Sequence, residues 1–144
     1  MQKELTIDHA LRATWQAVAK MYNEQAVKFN STMSMAFVLL NIDKENGTPS
    51  TALGPKMGME PTSLSRILKS MEDKGAIYRE KNPNDGRGVL IKLTPFGIEK
   101  REISKAHVIQ FNKAVKNNIS DKKITHFFEV TTLINKLIND KKIF

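Results

Sequence analysis

Residues 61–88 read PTSLSRILKSMEDKGAIYREKNPNDGRG. Pro61 suits the first position of a helix, where its missing N–H would have no intrahelical partner. Leu64, Ile67, Leu68 and Met71 then follow at i, i+3, i+4 and i+7, the spacing of one buried helical stripe, and Gly75 ends the run. "AIYREK" and "GVLIKLT" are strand-like runs joined by "NPNDGR", whose Asn, Pro, Asp and Gly are what a turn demands, so the pair reads as a β-hairpin.

Outward from this stretch the chain reads as helix. Leu11, Trp15, Val18, Tyr22 and Phe29 are spaced for a long amphipathic helix over about residues 8–29. Ser31 or Thr32 can cap a second helix holding Met35, Phe37, Val38, Leu39, Leu40 and Ile42, with Gly47 and Pro49 closing it. Ser50 can cap a short third helix from Thr51 to about Met57; Gly54 and Pro55 leave its extent open. Gly58 breaks the chain before Pro61. Thr94 and Pro95 open a fifth helix over about 95–118, and Ser120 with Asp121 opens a sixth containing Ile124, Phe127, Phe128, Ile134, Leu137 and Ile138. The expected fold is mainly α with a small β-hairpin wing. Residues 32–94 form a winged helix-turn-helix lobe, and 1–30 with 95–144 form helices outside it, all within one domain over 1–144.

Composition narrows the function. A chain of 144 residues with 40% apolar side chains can bury one core. It contains no cysteine, which excludes disulfides, thiolate metal sites and thiol redox sensing. No run of about 18 apolar residues could cross a bilayer, and the first residues lack a signal-peptide pattern, so no membrane association and a cytoplasmic location are expected. The net charge of +8 is unevenly spread: residues 1–55 carry five basic and five acidic side chains, 56–98 eight and five, and 99–144 ten and five. An anionic partner is implied, and its site is expected in the last two thirds.

Two short helices across a glycine turn, followed by a hairpin, are the order of a winged helix-turn-helix, whose second helix enters the major groove while the hairpin reaches the neighbouring backbone or minor groove. On the face opposite the buried stripe stand Thr62, Ser63, Ser65 and Arg66, read as base contacts in double-stranded DNA; Lys69, Ser50 and Lys92 are read as phosphate contacts. Asp85, Gly86 and Arg87 form the wing tip, where flanking glycines permit close approach and a narrow minor groove attracts arginine. The competing readings are an ordinary solvated helix face and a flexible turn.

The stretch MGMEPTSLSRILKSMEDKGAIYREKNPNDGRGVLIKLTPFG resembles the MarR (multiple antibiotic resistance regulator) family of bacterial transcription factors. The glycine turn, the recognition helix, the strand that follows it, a D-x-R wing at Asp85 and Arg87, and an LT-x-x-G helix start at Leu93, Thr94 and Gly97 occur in order. Glu60 departs from the small polar residue usual before the recognition helix, so its carboxylate either faces away or caps the helix. The resemblance implies a homodimer interlocked through the first, fifth and sixth helices, acting as a repressor on a pseudo-palindromic operator. It further implies a small lipophilic or phenolic effector in a cleft for which Trp15, Met33, Phe37 and Met71 are the candidates, the alternative being that these four are plain core. Lys92, Lys100, Arg101 and Lys105 would attract phosphate without selectivity. His9, His107 and His126 lack metal-ligand spacing; no metal and no other cofactor is expected, and no nucleophile and base pair suggests an enzyme. A protein-interaction module built on the same fold and a non-specific nucleoid-type protein are the alternative functions.

Overall fold

A computed structural model of the chain describes residues 5–86 and 88–144. Its elements, in order, are α1 (Ile7–Val27), α2 (Met33–Asn41), β1 (Thr48–Pro49), α3 (Ser50–Met57), α4 (Pro61–Asp73), β2 (Ile77–Lys81), β3 (Val89–Leu93), α5 (Pro95–Asn118) and α6 (Asp121–Asn139). The chain divides into two compact units, Met1–Lys105 and Ala106–Phe144.

In the first unit the core forms where α2, α3, α4 and the sheet converge on Val38, Leu39, Ile42, Leu53, Leu68, Met71, Ile77 and Ile91. The stripe expected on α4 supplies Leu64, Leu68 and Met71 as buried side chains, with Ile67 partly buried beside them. The sheet is antiparallel in the order β1-β3-β2, with Ile77 opposite Leu93, Arg79 opposite Ile91 and Lys81 opposite Val89.

Local chemistry explains where the helices begin and end. Thr32 caps α2, its Oγ1 accepting from the Met35 amide at 3.2 Å. Helix α1 stops at Val27, and Asn30 takes a left-handed φ of 55° in the link to α2. Helix α2 stops at Asn41, short of the expected glycine. Asp43 reorganises the chain there: its Oδ1 accepts from the amides of Glu45 and Asn46, both at 2.9 Å, and these bonds lower its pKa. The buried Thr48 then accepts from the Asp43 amide at 2.8 Å, setting the two residues of β1 against β3.

One expectation is corrected: Ser50 does not cap α3; it is the first helical residue, Pro49 holds the cap position, and its side chain makes no cap bond. The expected hairpin of β2 and β3 is present, and Thr48 and Pro49 add a third strand to it by pairing with Ile91 and Leu90. Gly54 is buried, and α3 runs through Pro55 to a left-handed Gly58. The turn folds back there, the Met59 amide donating to Gly54 O at 3.0 Å.

The end of α4 is a Schellman motif, with Ala76 N–H donating to Met71 O (2.9 Å) and Gly75 N–H to Glu72 O (3.0 Å). Thr94 closes the other side. Its hydroxyl donates to Gly75 O and accepts from the Gly97 amide (3.0 Å), while its own amide donates to Ala76 O (3.1 Å). Gly97 lies so close that a Cβ there would sit 1.9 Å from Ala76 O.

In the second unit, Ser120 caps α6 by accepting from the Lys123 amide at 3.3 Å. No residue of α6 is buried, and Phe127, Phe128, Leu133 and Ile138 are all more than half exposed. Among the described residues no helix is long and apolar enough to cross a membrane.

A methyl group at position 97 would have to displace backbone. Gly97→Ala is therefore expected to destabilise the fold by about 3 kcal/mol, measured as a reduced urea midpoint at unchanged slope.

Candidate nucleic-acid interface

The site is built on α4. Leu64, Ile67, Leu68 and Met71 anchor one side to the core, and Thr62, Ser65, Arg66 and Lys69 repeat the same i, i+3, i+4, i+7 spacing two residues earlier. Two residues are about 200° of helix turn, so the second stripe faces away from the first. Thr62, Ser63, Ser65, Arg66 and Lys69 are all exposed, and none has a hydrogen-bond or ion-pair partner among the described residues. Ser63 stands on the flank of the stripe. The face thus presents hydroxyls, one guanidinium and one ammonium with their donor capacity unspent.

Glu60 occupies the N-cap of α4, is exposed, and makes no side-chain cap bond. Lys56, in the last turn of α3, is also exposed. Ser50 is half-buried at the start of α3.

At the wing, Asn82 organises the tip. Its Oδ1 accepts from the Asn84 amide (3.0 Å), its carbonyl from Asp85 N–H (3.2 Å), and its amide donates to Gly88 O (3.1 Å). Asp85 and Gly86 are exposed in this turn, and the Gly88 amide donates to Asp85 O at 2.9 Å. Arg87 lies outside the described residues. On the strands, Lys92 is engaged by Glu80 at 3.0 Å and Arg79 by Glu72 at 3.5 Å. Sequence reasoning did not single out Glu80, Glu72, Arg79 or Lys56. The charge alternation of "YREK" was the available signal, but the partner across the sheet depends on register.

A cleft of about 210 Å³ opens elsewhere in the same unit, lined by Phe29, Met35, Met71, Lys74, Phe96 and Lys100 among others. The Lys100 ammonium stands over both aromatic rings, 5.6 Å from the centroid of Phe29 and 5.2 Å from that of Phe96. Lys74 reaches Asn30 O at 3.0 Å. Of the four cleft candidates read from the sequence only Met71 lines this space. Phe37 packs edge-on against Tyr22 at 5.7 Å, Met33 donates its amide to Asn23 Oδ1, and Trp15 is 54% exposed on α1. Among the described residues no three His, Asp or Glu side chains come together to hold a metal ion.

The MarR family profile matches residues 32–89, which run from the cap of α2 to the start of β3 and so take in α4 and the wing. Over that segment the chain is similar to the MarR family. A similar relative is the uncharacterised HTH-type transcriptional regulator YdgJ of Bacillus subtilis (strain 168), at 31% identity over 88 residues, covering 61% of this chain and 54% of that protein. The chain spans about half to two thirds of the length of the curated relatives it matches. Among solved structures, the fold is shared with the MepR–DNA complex of S. aureus (TM-score 0.83, 18% identity, covering 93% of this chain and 100% of that one). It is shared also with the PcaV transcriptional regulator from Streptomyces coelicolor in complex with its natural ligand (TM-score 0.80, 18% identity, 94% and 96% covered). Members of the MarR family are transcription regulators and not enzymes, as the sequence led us to expect.

Proposed function

We propose that this protein is a MarR-family transcriptional regulator that binds double-stranded DNA sequence-specifically as a homodimer. It represses from a pseudo-palindromic operator and is released by a small lipophilic or phenolic ligand. The observation that carries the reading is the second stripe of α4: four polar or cationic side chains at helical spacing, exposed and without a partner among the described residues, on a helix whose opposite side is locked into the core. Arg66 is suited to a bidentate pair with guanine, Thr62, Ser63 and Ser65 to bases or phosphates, and Lys69 to phosphate. The hairpin that follows would carry Asp85, Gly86 and Arg87 toward the neighbouring minor groove. The MepR structure, solved with DNA, supports the reading by likeness of fold.

Dimerisation is supported by the exposed apolar side chains of α6 and, separately, of α1, where Leu11 and Trp15 stand out. A closed two-fold dimer would cover such faces and space two recognition helices for successive major grooves. The cleft beside Lys74 and Lys100 supports the effector. Its aromatic walls suit a planar apolar ring and its ammonium groups a phenolate or carboxylate, and a ligand that fits one spacing of the recognition helices better than another shifts the DNA affinity by that difference.

The reading is tested by recovering genomic fragments on the purified protein at about 150 mM salt, where purely electrostatic binding is already weakened. An enriched inverted repeat with half-sites about one helical turn apart is the expected outcome; fragments sharing no sequence would favour the nucleoid-type reading instead. On the recovered site, Arg66→Ala is expected to cost about 1–3 kcal/mol and relax preference at one base position, whereas Lys69→Ala should weaken all duplexes alike. Equal losses on every sequence for both variants would remove Arg66 from the base-reading set.

A further inference from the structure

The cations around α4 and the hairpin are not equally available. Arg66 and Lys69 on α4 and Lys81 on β2 have no partner among the described residues, whereas Lys92 on β3 is held. Its Nζ lies 3.0 Å from Glu80 Oε2, and its side chain is 25% exposed against 48% for the glutamate. The pair is diagonal across the hairpin: Lys92 stands opposite Tyr78, and Glu80 opposite Leu90. On the other side the Lys92 stem crosses Gly47 so closely that a Cβ there would lie 2.7 Å from Lys92 Cγ. The hydrogen bond that Lys92 donates to the Glu80 carboxylate also raises the pKa of Lys92, so the ammonium keeps its charge while it is held.

We propose that Glu80 is a specificity-setting residue, which ties the Lys92 ammonium to the sheet and so withholds one phosphate-neutralising cation from loosely bound, non-cognate DNA. The proposal rests on the DNA-binding function above. A free lysine adds the same counterion-release gain on any duplex and therefore nothing to discrimination. A lysine already paired gains only when a phosphate comes near enough to compete with the carboxylate, and until then the carboxylate repels the backbone. Non-cognate encounters, which lack the base contacts that hold a duplex in register, are weakened most. Glu80 touches no base in this account; it acts through Lys92.

The test is Glu80→Gln, read by the affinity of a random-sequence duplex as a function of salt, beside the fragment recovered from the genome. The expected result is tighter binding of the random duplex, with the slope of log K against log salt steeper by about 0.9, the increment for one further phosphate contact. Affinity for the recovered fragment should rise less, so the ratio between the two falls. In the double variant Glu80→Gln with Lys92→Gln the gain should vanish. An exposed ion pair contributes little stability, so the fold should survive; Glu80→Ala repeats the measurement if the glutamine variant melts early. An unchanged slope in a folded Glu80 variant, or a gain that persists without Lys92, overturns the role of Glu80 while leaving the DNA-binding function standing. A wild-type protein with no affinity for any duplex at about 50 mM salt overturns both.

Discussion

The carbonyl of Ala76 is the point at which the recognition-helix candidate α4, the hairpin and α5 are fastened together. The Thr94 amide donates to it, and Gly97 presses its bare Cα toward it, while the neighbouring Gly75 carbonyl takes the Thr94 hydroxyl. Within a few ångströms, the end of α4, the start of β2, the end of β3 and the first turn of α5 become one body. Orphan donors at that junction are taken up locally: Ala76 N–H returns to Met71 O, and the Gly97 amide finds Thr94 Oγ1. The angle of α4 to the hairpin is thus fixed by a few hydrogen bonds and one missing side chain.

Much of this was legible in the sequence because it depends on local chemistry. The α4 stripe, the proline at its start, the glycine at its end, the hairpin, and the Thr94–Pro95 opening of α5 all follow from residue type and spacing, and the observed α5 has the expected bounds. Thr32 and Ser120 could be read as caps for the same reason. What was not legible required a partner distant in the chain. The strand at Thr48–Pro49 has no periodicity of its own and exists because Leu90 and Ile91 offer a free edge. Ser50 looked like a cap, yet Pro49 already supplies the extended conformation that a helix start needs, and Ser50 is drawn into the first turn.

The candidate site divides along the same line. The outward stripe on α4 is a consequence of helical geometry once the buried stripe is known, so Thr62, Ser65, Arg66 and Lys69 could be placed from spacing alone. Lys92 looked like a simple phosphate ligand, but its pairing with Glu80 depends on the strand register. The cleft makes the point most strongly. Phe29, Lys74 and Phe96 are far apart in sequence, and of the four cleft candidates only Met71 lines this space, because an aromatic or methionine stripe gives the side of a helix and not the neighbour it meets.

The edges of the small sheet have a consequence for solubility. A hairpin presented to solvent offers unpaired backbone groups on which another chain could add a strand. On one side of this sheet the outer strand is only two residues long and ends in Pro49, which has no N–H to offer. On the other side the outer strand carries Arg79, Glu80 and Lys81 in succession, so a second strand could pair only by bringing charge against charge. The hairpin can therefore be presented to solvent without becoming a template for aggregation, because its charged outer strand keeps copies of the protein from joining edge to edge.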